Sequence, residues 1–170
     1  IAFPYGRSAQ WAFFKAMGIE NGEIIMPAYT CSVVAHAITL SGNTPRFIDI
    51  DLYDYNMNLD STELAINKNT RAIIATHTFG YPQDIDRLEL MVKQAEKRFG
   101  HKIWLINDCC HAFGAEWNGK LIGSSGDVSI YAFNISKMIT SIFGGMLTFH
   151  DKDLANKVRK WRDENFVKAG

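Results

Sequence analysis

The sequence predicts an α/β fold: a three-layer α/β/α sandwich around a mostly parallel sheet of seven strands. Two observations carry this expectation. Short apolar runs alternate with longer amphipathic stretches along the whole chain, the order that builds βαβ units. The apolar runs are nearly continuous rather than alternating in polarity, as strands covered by helices on both faces must be.

Each element has its own reason. Ile1–Pro4 is a short apolar strand. Ser8–Gly18 is helical, because Ala9, Ala12, Phe13, Ala16 and Met17 recur at three- and four-residue spacing and Gly18 ends the run. Glu23–Pro27 is the second strand and Ser32–Leu40 the second helix, closed by Ser41-Gly42. Arg46–Ile50 is a strand that runs into the acidic, turn-rich Asp49–Asp60. Ser61–Asn67 reads as a short helix capped by Ser61 or Asp60. Ala72–His77 is a buried strand. Asp84–Phe99 carries Ile85, Leu88, Val92, Ala95 and Phe99 on one side and charges on the other, and Gly100 stops it. Ile103–Asn107, Val128–Phe133 and Met146–Phe149 complete the strands, and Asp151–Arg162 is a charged helix.

The 170 residues suit one domain, large enough to bury about two thirds of its unfolded surface without disulfide support. Basic and acidic residues balance at 18 each, so the basic excess of a nucleic-acid or acidic-membrane binder is missing. No apolar run reaches the length of a membrane span. Cys31, Cys109 and Cys110 are odd in number, with two adjacent. They fit neither a disulfide framework nor a zinc pattern, and read as reduced, buried thiols of a cytoplasmic protein. The chain starts at Ile1 without a methionine or a signal-peptide pattern, and is expected to be a piece of a longer protein.

In open α/β sheets ligands bind beyond the carboxyl ends of the strands. The residues there are Gly6-Arg7-Ser8, Tyr29–Cys31, His77, Asp108–His111 and Asn134–Lys137. Asp108 is a cap or a functional anion. Lys137 is a lone cation between Asp127 and Asp151, in an apolar stretch. An amine in such a setting gives up its proton more easily and attacks carbonyls. Gly6-Arg7-Ser8 opens a helix, where free N–H groups, the helix dipole and a guanidinium together suit a phosphate. A phosphate cradle, a carboxylate and an apolar lysine on one sheet edge are what pyridoxal 5'-phosphate needs. His77 ends its strand either as a satisfied structural residue or as a site residue. A flavodoxin-like or Rossmann nucleotide binder ranks lower, since no Gly-x-Gly-x-x-Gly follows the first strand.

These residues resemble the DegT/DnrJ/EryC1/StrS sugar aminotransferase family, a branch of the fold-type I pyridoxal-phosphate enzymes. The likeness runs from about Gly6 to Phe149. Glu23–Pro27 with Tyr29-Thr30 looks like the family's first strand and cofactor loop. Thr44–Asp51 resembles its TPVFVDID strand, and Asn107–Ala115 is similar to EDAAQAHGA. Gly119-Lys120, Gly123-Ser124 and Gly126-Asp127 resemble GRRVGSLGD. Lys137 and Gly144-Gly145 match the cofactor lysine and the GGxxxT strand.

The resemblance implies Lys137 and Asp108 as catalytic residues. It implies cofactor contacts from Gly6, Arg7, Ser8, Cys31, Asp108, His111, Ser136 and Lys137, and no metal, with Asp49, Asp51 and Asp54 in a structural turn. It implies an antiparallel last strand and a homodimer with shared active sites. The smaller C-terminal domain of the family is absent from this stretch. The implied reaction moves an amino group, glutamate being the donor by precedent, to a keto sugar, usually nucleotide-linked. Dehydrating relatives would carry histidine where this chain has Lys137. The alternative is a truncated, non-catalytic binding or regulatory domain of the same fold.

The chain departs from the family pattern at four places. The ring-stacking aromatic falls at Cys31, for which a small buried filler is the expected role. The phosphate-binding serine falls at Ala132, the threonine at the helix start at Arg7, and the glutamine near the cofactor's phenolic oxygen at His111.

Overall fold

A computed structural model describes residues 1–166 of the chain. In order, the elements are β1 (Ala2–Phe3), α1 (Gly6–Met17), β2 (Glu23–Pro27), α2 (Ser32–Leu40), β3 (Thr44–Ile48), α3 (Leu59–Ala65) and β4 (Thr70–Thr76). They continue with α4 (Ile85–Phe99), β5 (Trp104–Asp108), β6 (Glu116–Trp117), β7 (Lys120–Leu121), β8 (Val128–Ala132), β9 (Gly145–Thr148) and α5 (Lys152–Asn165).

Seven strands form one sheet in the order β1-β9-β8-β5-β4-β2-β3. The run from β3 to β8 is parallel, and β9 is antiparallel to both β8 and β1. The last strand is antiparallel, as the family resemblance implied, though it spans Gly145–Thr148 rather than Met146–Phe149. β6 and β7 make a separate two-stranded hairpin that hydropathy did not reveal; two-residue strands are too short to show a period.

Alternation along the inner strands supplies two cores. On one face Ile24, Met26, Ala72, Ile74 and Ile106 pack with Phe13, Phe14 and Val158 from α1 and α5. On the other, Ile25, Ile73, Ala75 and Leu105 pack with Leu88, Met91 and Val92 of α4. Each such large side chain contributes about 1.5–3 kcal/mol when fully buried.

Helix ends follow local chemistry. Asp84 caps α4 by accepting from Arg87 N–H at 2.9 Å, and Gly100 ends it at φ 73°. α3 corrects the sequence reading. Its cap is Asn58, whose Oδ1 accepts from Ser61 N–H at 2.8 Å, so the helix begins two residues before Ser61. α1 likewise begins at Gly6 rather than Ser8. The strand before Asp108 extends to include it, because Asp108 pairs in register with Thr76 of β4.

Candidate active site

A cleft of about 350 Å³ opens where the carboxyl ends of β4, β5 and β8 meet the start of α1 and the loop into α2. Five of the residues expected at the site before Lys137 line it, namely Gly6, Arg7, Cys31, Asp108 and His111, and Lys137 joins them. Ser8 and Ser136 do not line it; Ser8 is half-buried in the first turn of α1 and Ser136 is exposed.

One end of the cleft is the start of α1. Tyr5 caps the helix in an extended conformation without a side-chain hydrogen bond, which leaves the first-turn N–H groups to a ligand. Gly6 sits tight on β8; a Cβ there would lie 3.0 Å from the Ala132 Cβ. The Arg7 guanidinium is exposed and lies 4.1 Å from the centroid of the Tyr5 ring. Asp127, an acid that Arg7 could have paired with, is engaged elsewhere. It accepts from Leu105 N–H at 2.8 Å and from the Lys102 ammonium at 2.9 Å.

The floor is the end of β5. Asp108 is only 7% exposed, and its Oδ1 accepts from Cys110 N–H at 3.1 Å. Burial and the neighbouring Asp108 charge push the Cys110 thiol well above its ordinary pKa and the Cys109 thiol up to about 12. Both are unreactive thiols at neutral pH. Cys31 overturns one expectation. It is exposed rather than a buried filler, because it stands just before α2 and faces the cleft.

Lys137 lies in the turn after β8, where its N–H donates to the Asn134 carbonyl at 2.9 Å. Lys137 is close enough to lower the proton affinity of Cys110 and of His111, whose pKa burial pushes down first. His111 lies nearly parallel to the Phe79 ring, 11° between planes and 6.4 Å between centroids.

Two groups in the cleft, at Thr76 and Thr78, were not foreseen, and a third belongs to Asn134 of the strand-end stretch Asn134–Lys137. Thr76 Oγ1, Thr78 Oγ1 and Asn134 Oδ1 are buried without a hydrogen-bond partner, and all three residues line the cleft. Unpaired buried polar atoms are destabilising by about 1–3 kcal/mol each unless a ligand or water meets them. Thr76 was detectable, since it ends a strand that the sequence located and stands in register with Asp108. His77 is fully buried with both ring nitrogens engaged, so its structural role holds.

A ligand suited to this cleft carries an anion for the helix start, a carbonyl for Lys137, a basic ring nitrogen for Asp108 and polar edges for the orphaned atoms. Pyridoxal phosphate fits each of these. The fold is that of the pyridoxal-phosphate transferases of fold type I.

Comparison with known proteins narrows the class. Residues 1–169 match the sequence model of the DegT/DnrJ/EryC1/StrS aminotransferase family, and the chain belongs to that family. It is 36% identical over 153 residues to a GDP-perosamine synthase of Escherichia coli O157:H7, covering 89% of this chain and 40% of the relative. It is 34% identical over 160 residues to a UDP-N-acetyl-3-dehydro-alpha-D-glucosamine 3-aminotransferase of Acidithiobacillus ferrooxidans, covering 93% of this chain and 42% of that one. Among solved structures, the sugar aminotransferase CalS13 of Micromonospora echinospora superposes with a TM-score of 0.89 at 29% identity. That match covers 95% of this chain and 44% of CalS13. The chain thus spans about 40% of the length of the curated relatives it matches.

Proposed function

We propose that the protein containing this chain is an aminotransferase that moves an amino group, from glutamate, to a nucleotide-linked keto sugar. The observation that carries the reading is Lys137 and Asp108 facing one cleft across from a helix start. The relatives' names, which include a GDP-sugar synthase and a UDP-sugar aminotransferase, support the acceptor class.

When bound, the cofactor supplies an electron sink for the bond broken at the amino donor's Cα. The residues do the rest. Lys137 would hold the cofactor through Nζ and, when free, would act as the base and acid that moves the proton at the donor carbon. Asp108 Oδ2 would accept from the ring N–H and keep that nitrogen protonated, while its Oδ1 accepts from Cys110 N–H. The N–H groups at the start of α1 and the Arg7 guanidinium would bind the phosphate. His111 would donate a hydrogen bond to the phenolic oxygen.

The domain works as one part of a two-domain subunit in a homodimer with shared active sites. Exposed Ile135, Met138, Ile142 and Phe143 beside the Lys137 turn form the kind of apolar surface that a second subunit covers.

The test is turnover by the longest reading frame that contains this chain. Supplied with glutamate and a panel of nucleotide-linked keto sugars, it should release 2-oxoglutarate with at least one of them. Release with none, from protein that carries bound cofactor, would sink the reading.

A further inference from the structure

Three aromatic rings stand exposed at the mouth of the cleft, and nothing in the reaction above uses them. Tyr29 follows β2, Tyr55 lies in the turn after β3, and Phe79 follows β4. Their centroids form a near-equilateral triangle: 5.8 Å from Tyr29 to Tyr55, 6.2 Å from Tyr29 to Phe79 and 6.0 Å from Tyr55 to Phe79. Phe79 is 64% exposed and the two tyrosines nearly half exposed. Tyr29 and Phe79 also line the cleft.

The cluster is held in place against the local preferences of the chain. Tyr55 and Phe79 both sit in the left-handed region, at φ 62° and 55°. Aromatic side chains seldom occupy that region, which costs about 1–2 kcal/mol per residue. Asn56, almost fully buried, fixes both loops at once. Its Oδ1 accepts from Thr78 N–H at 3.0 Å and its Nδ2 donates to the Tyr81 carbonyl at 3.1 Å, bracketing Phe79. Its own N–H is held by Asp54 Oδ1 at 2.9 Å. Strained backbone held under exposed rings is a local cost, which marks a surface organised in advance for something that binds it.

The ring planes are inclined to one another by 47°, 57° and 77°, so Tyr29 and Tyr55 brace Phe79 rather than continue its plane. We infer that the exposed face of Phe79 is a platform that stacks on the flat base of the acceptor's nucleotide. The inference rests on the acceptor class proposed above. The keto carbon must reach Lys137, and the cofactor occupies the cleft between Lys137, Asp108 and the helix start. The far end of an elongated acceptor then emerges at the mouth, where the rings are. An uncharged, exposed ring face suits a planar heterocycle rather than a phosphate, and a π-face accepts any base.

The experiment uses the longest reading frame, loaded with cofactor. Binding of GDP, UDP, dTDP and ribose 5-phosphate is measured by calorimetry in the parent protein and in Phe79→Gly, Phe79→Tyr and Tyr29→Ala. Glycine is at ease at φ 55°, so Phe79→Gly should keep or raise the melting temperature, and affinities are compared at matched cofactor content. Phe79→Gly should still weaken binding of a nucleoside diphosphate about tenfold or more, as should Tyr29→Ala. Phe79→Tyr should retain binding, and ribose 5-phosphate should bind poorly throughout.

Equal nucleotide affinity in the glycine and alanine variants overturns the platform. So does a parent protein that binds ribose 5-phosphate as well as nucleoside diphosphates, or variants that only dissociate the oligomer. Failure of the reaction is distinguishable. A protein that binds nucleotides through these rings yet aminates no keto sugar refutes the proposed reaction and keeps the platform. A protein that aminates such sugars with affinity indifferent to the rings does the reverse.

Discussion

His77 Nε2 lies 3.3 Å from Asn107 Oδ1, and the direction of that contact is fixed by the other side of the ring. His77 Nδ1 accepts from Gln83 N–H at 3.0 Å, so the single ring proton sits on Nε2 and is donated to Asn107. Asn107 in turn donates through Nδ2 to the carbonyls of Ile122 and Ser125. The chain of bonds crosses from the loop after β4, through β5, to the segment before β8. It backs the residue next to it, Asp108, with a fully satisfied network.

This network makes the protein acid-sensitive. Burial pushes the His77 pKa down to about 4 from the usual 6.5, against smaller opposing effects of Asn107 and Asp108. The unfolded ring binds a proton that the folded ring refuses. Stability is therefore complete above pH 6.5 and falls as the pH drops from there toward about 4. At roughly 1.4 kcal/mol per unit, the loss is about 3 kcal/mol; half-buried His111, also shifted down, adds in the same sense. Urea titrations between pH 7 and 4.5 should show this slope in the parent protein and a shallower one in His77→Gln. Equal slopes would exclude His77 as the source.

Borohydride reduction of the cofactor-loaded protein should place the label on the peptide that contains Lys137. Lys137→Ala should abolish both the label and turnover. A label on any other lysine moves the reactive amine elsewhere.

Asp108→Asn keeps the shape of the side chain and its contact with Cys110 N–H but presents a neutral partner to the ring nitrogen. Turnover should fall by roughly a hundredfold or more, with the melting temperature little changed. Near-normal turnover in this variant would falsify the role.

Arg7 and Ala132 form a pair of opposite departures from the family pattern. A hydroxyl is missing at Ala132, and a guanidinium stands at Arg7, already lodged against Tyr5 at the helix start. A charged hydrogen bond is worth about 1.5–3 kcal/mol. Arg7→Ala should accordingly weaken cofactor affinity about tenfold or more, and adding Ala132→Ser should restore part of it. Affinity that ignores Arg7→Ala shows the guanidinium pointing away from the phosphate in solution.

Gly145 is pressed onto the chain entering α1; any Cβ there would overlap the Tyr5 carbonyl. Gly145→Ala should cost about 1–3 kcal/mol in stability and weaken cofactor binding with it, because the helix start must shift. Both effects are read in one thermal-shift series with and without cofactor. Loss of stability at unchanged cofactor affinity would show that the cradle does not depend on this contact.

The strands and helices were legible because their signals are local. Ala72–His77 and Ile103–Asn107 are apolar runs, and α4 has a full amphipathic period with a cap at each end. Asp108 and Lys137 were legible because strand-end position and an apolar setting are properties of the sequence itself. Thr78 and Phe79 were not. Their part in the cleft depends on loops brought together from distant segments, and Phe79 depends further on a left-handed backbone that only the Asn56 clamp maintains. Asn58 lost the cap of α3 to Ser61 and Asp60 in the sequence reading because all three are good capping residues two or three positions apart.

The pairing of β1 with β9 has a consequence for how the protein is made. Ala2 stands opposite Met146, and the Tyr5–Gly144 bridge extends the contact up to the first residue of α1. On the ribosome, the segment that opens α1 emerges well before the strand that holds it. The parallel strands between them can pair while translation continues, but the start of α1 stays unsupported on this side until residues 144–146 are released. A nascent chain stalled short of that point is expected to carry a formed sheet with an open end where the cleft lies.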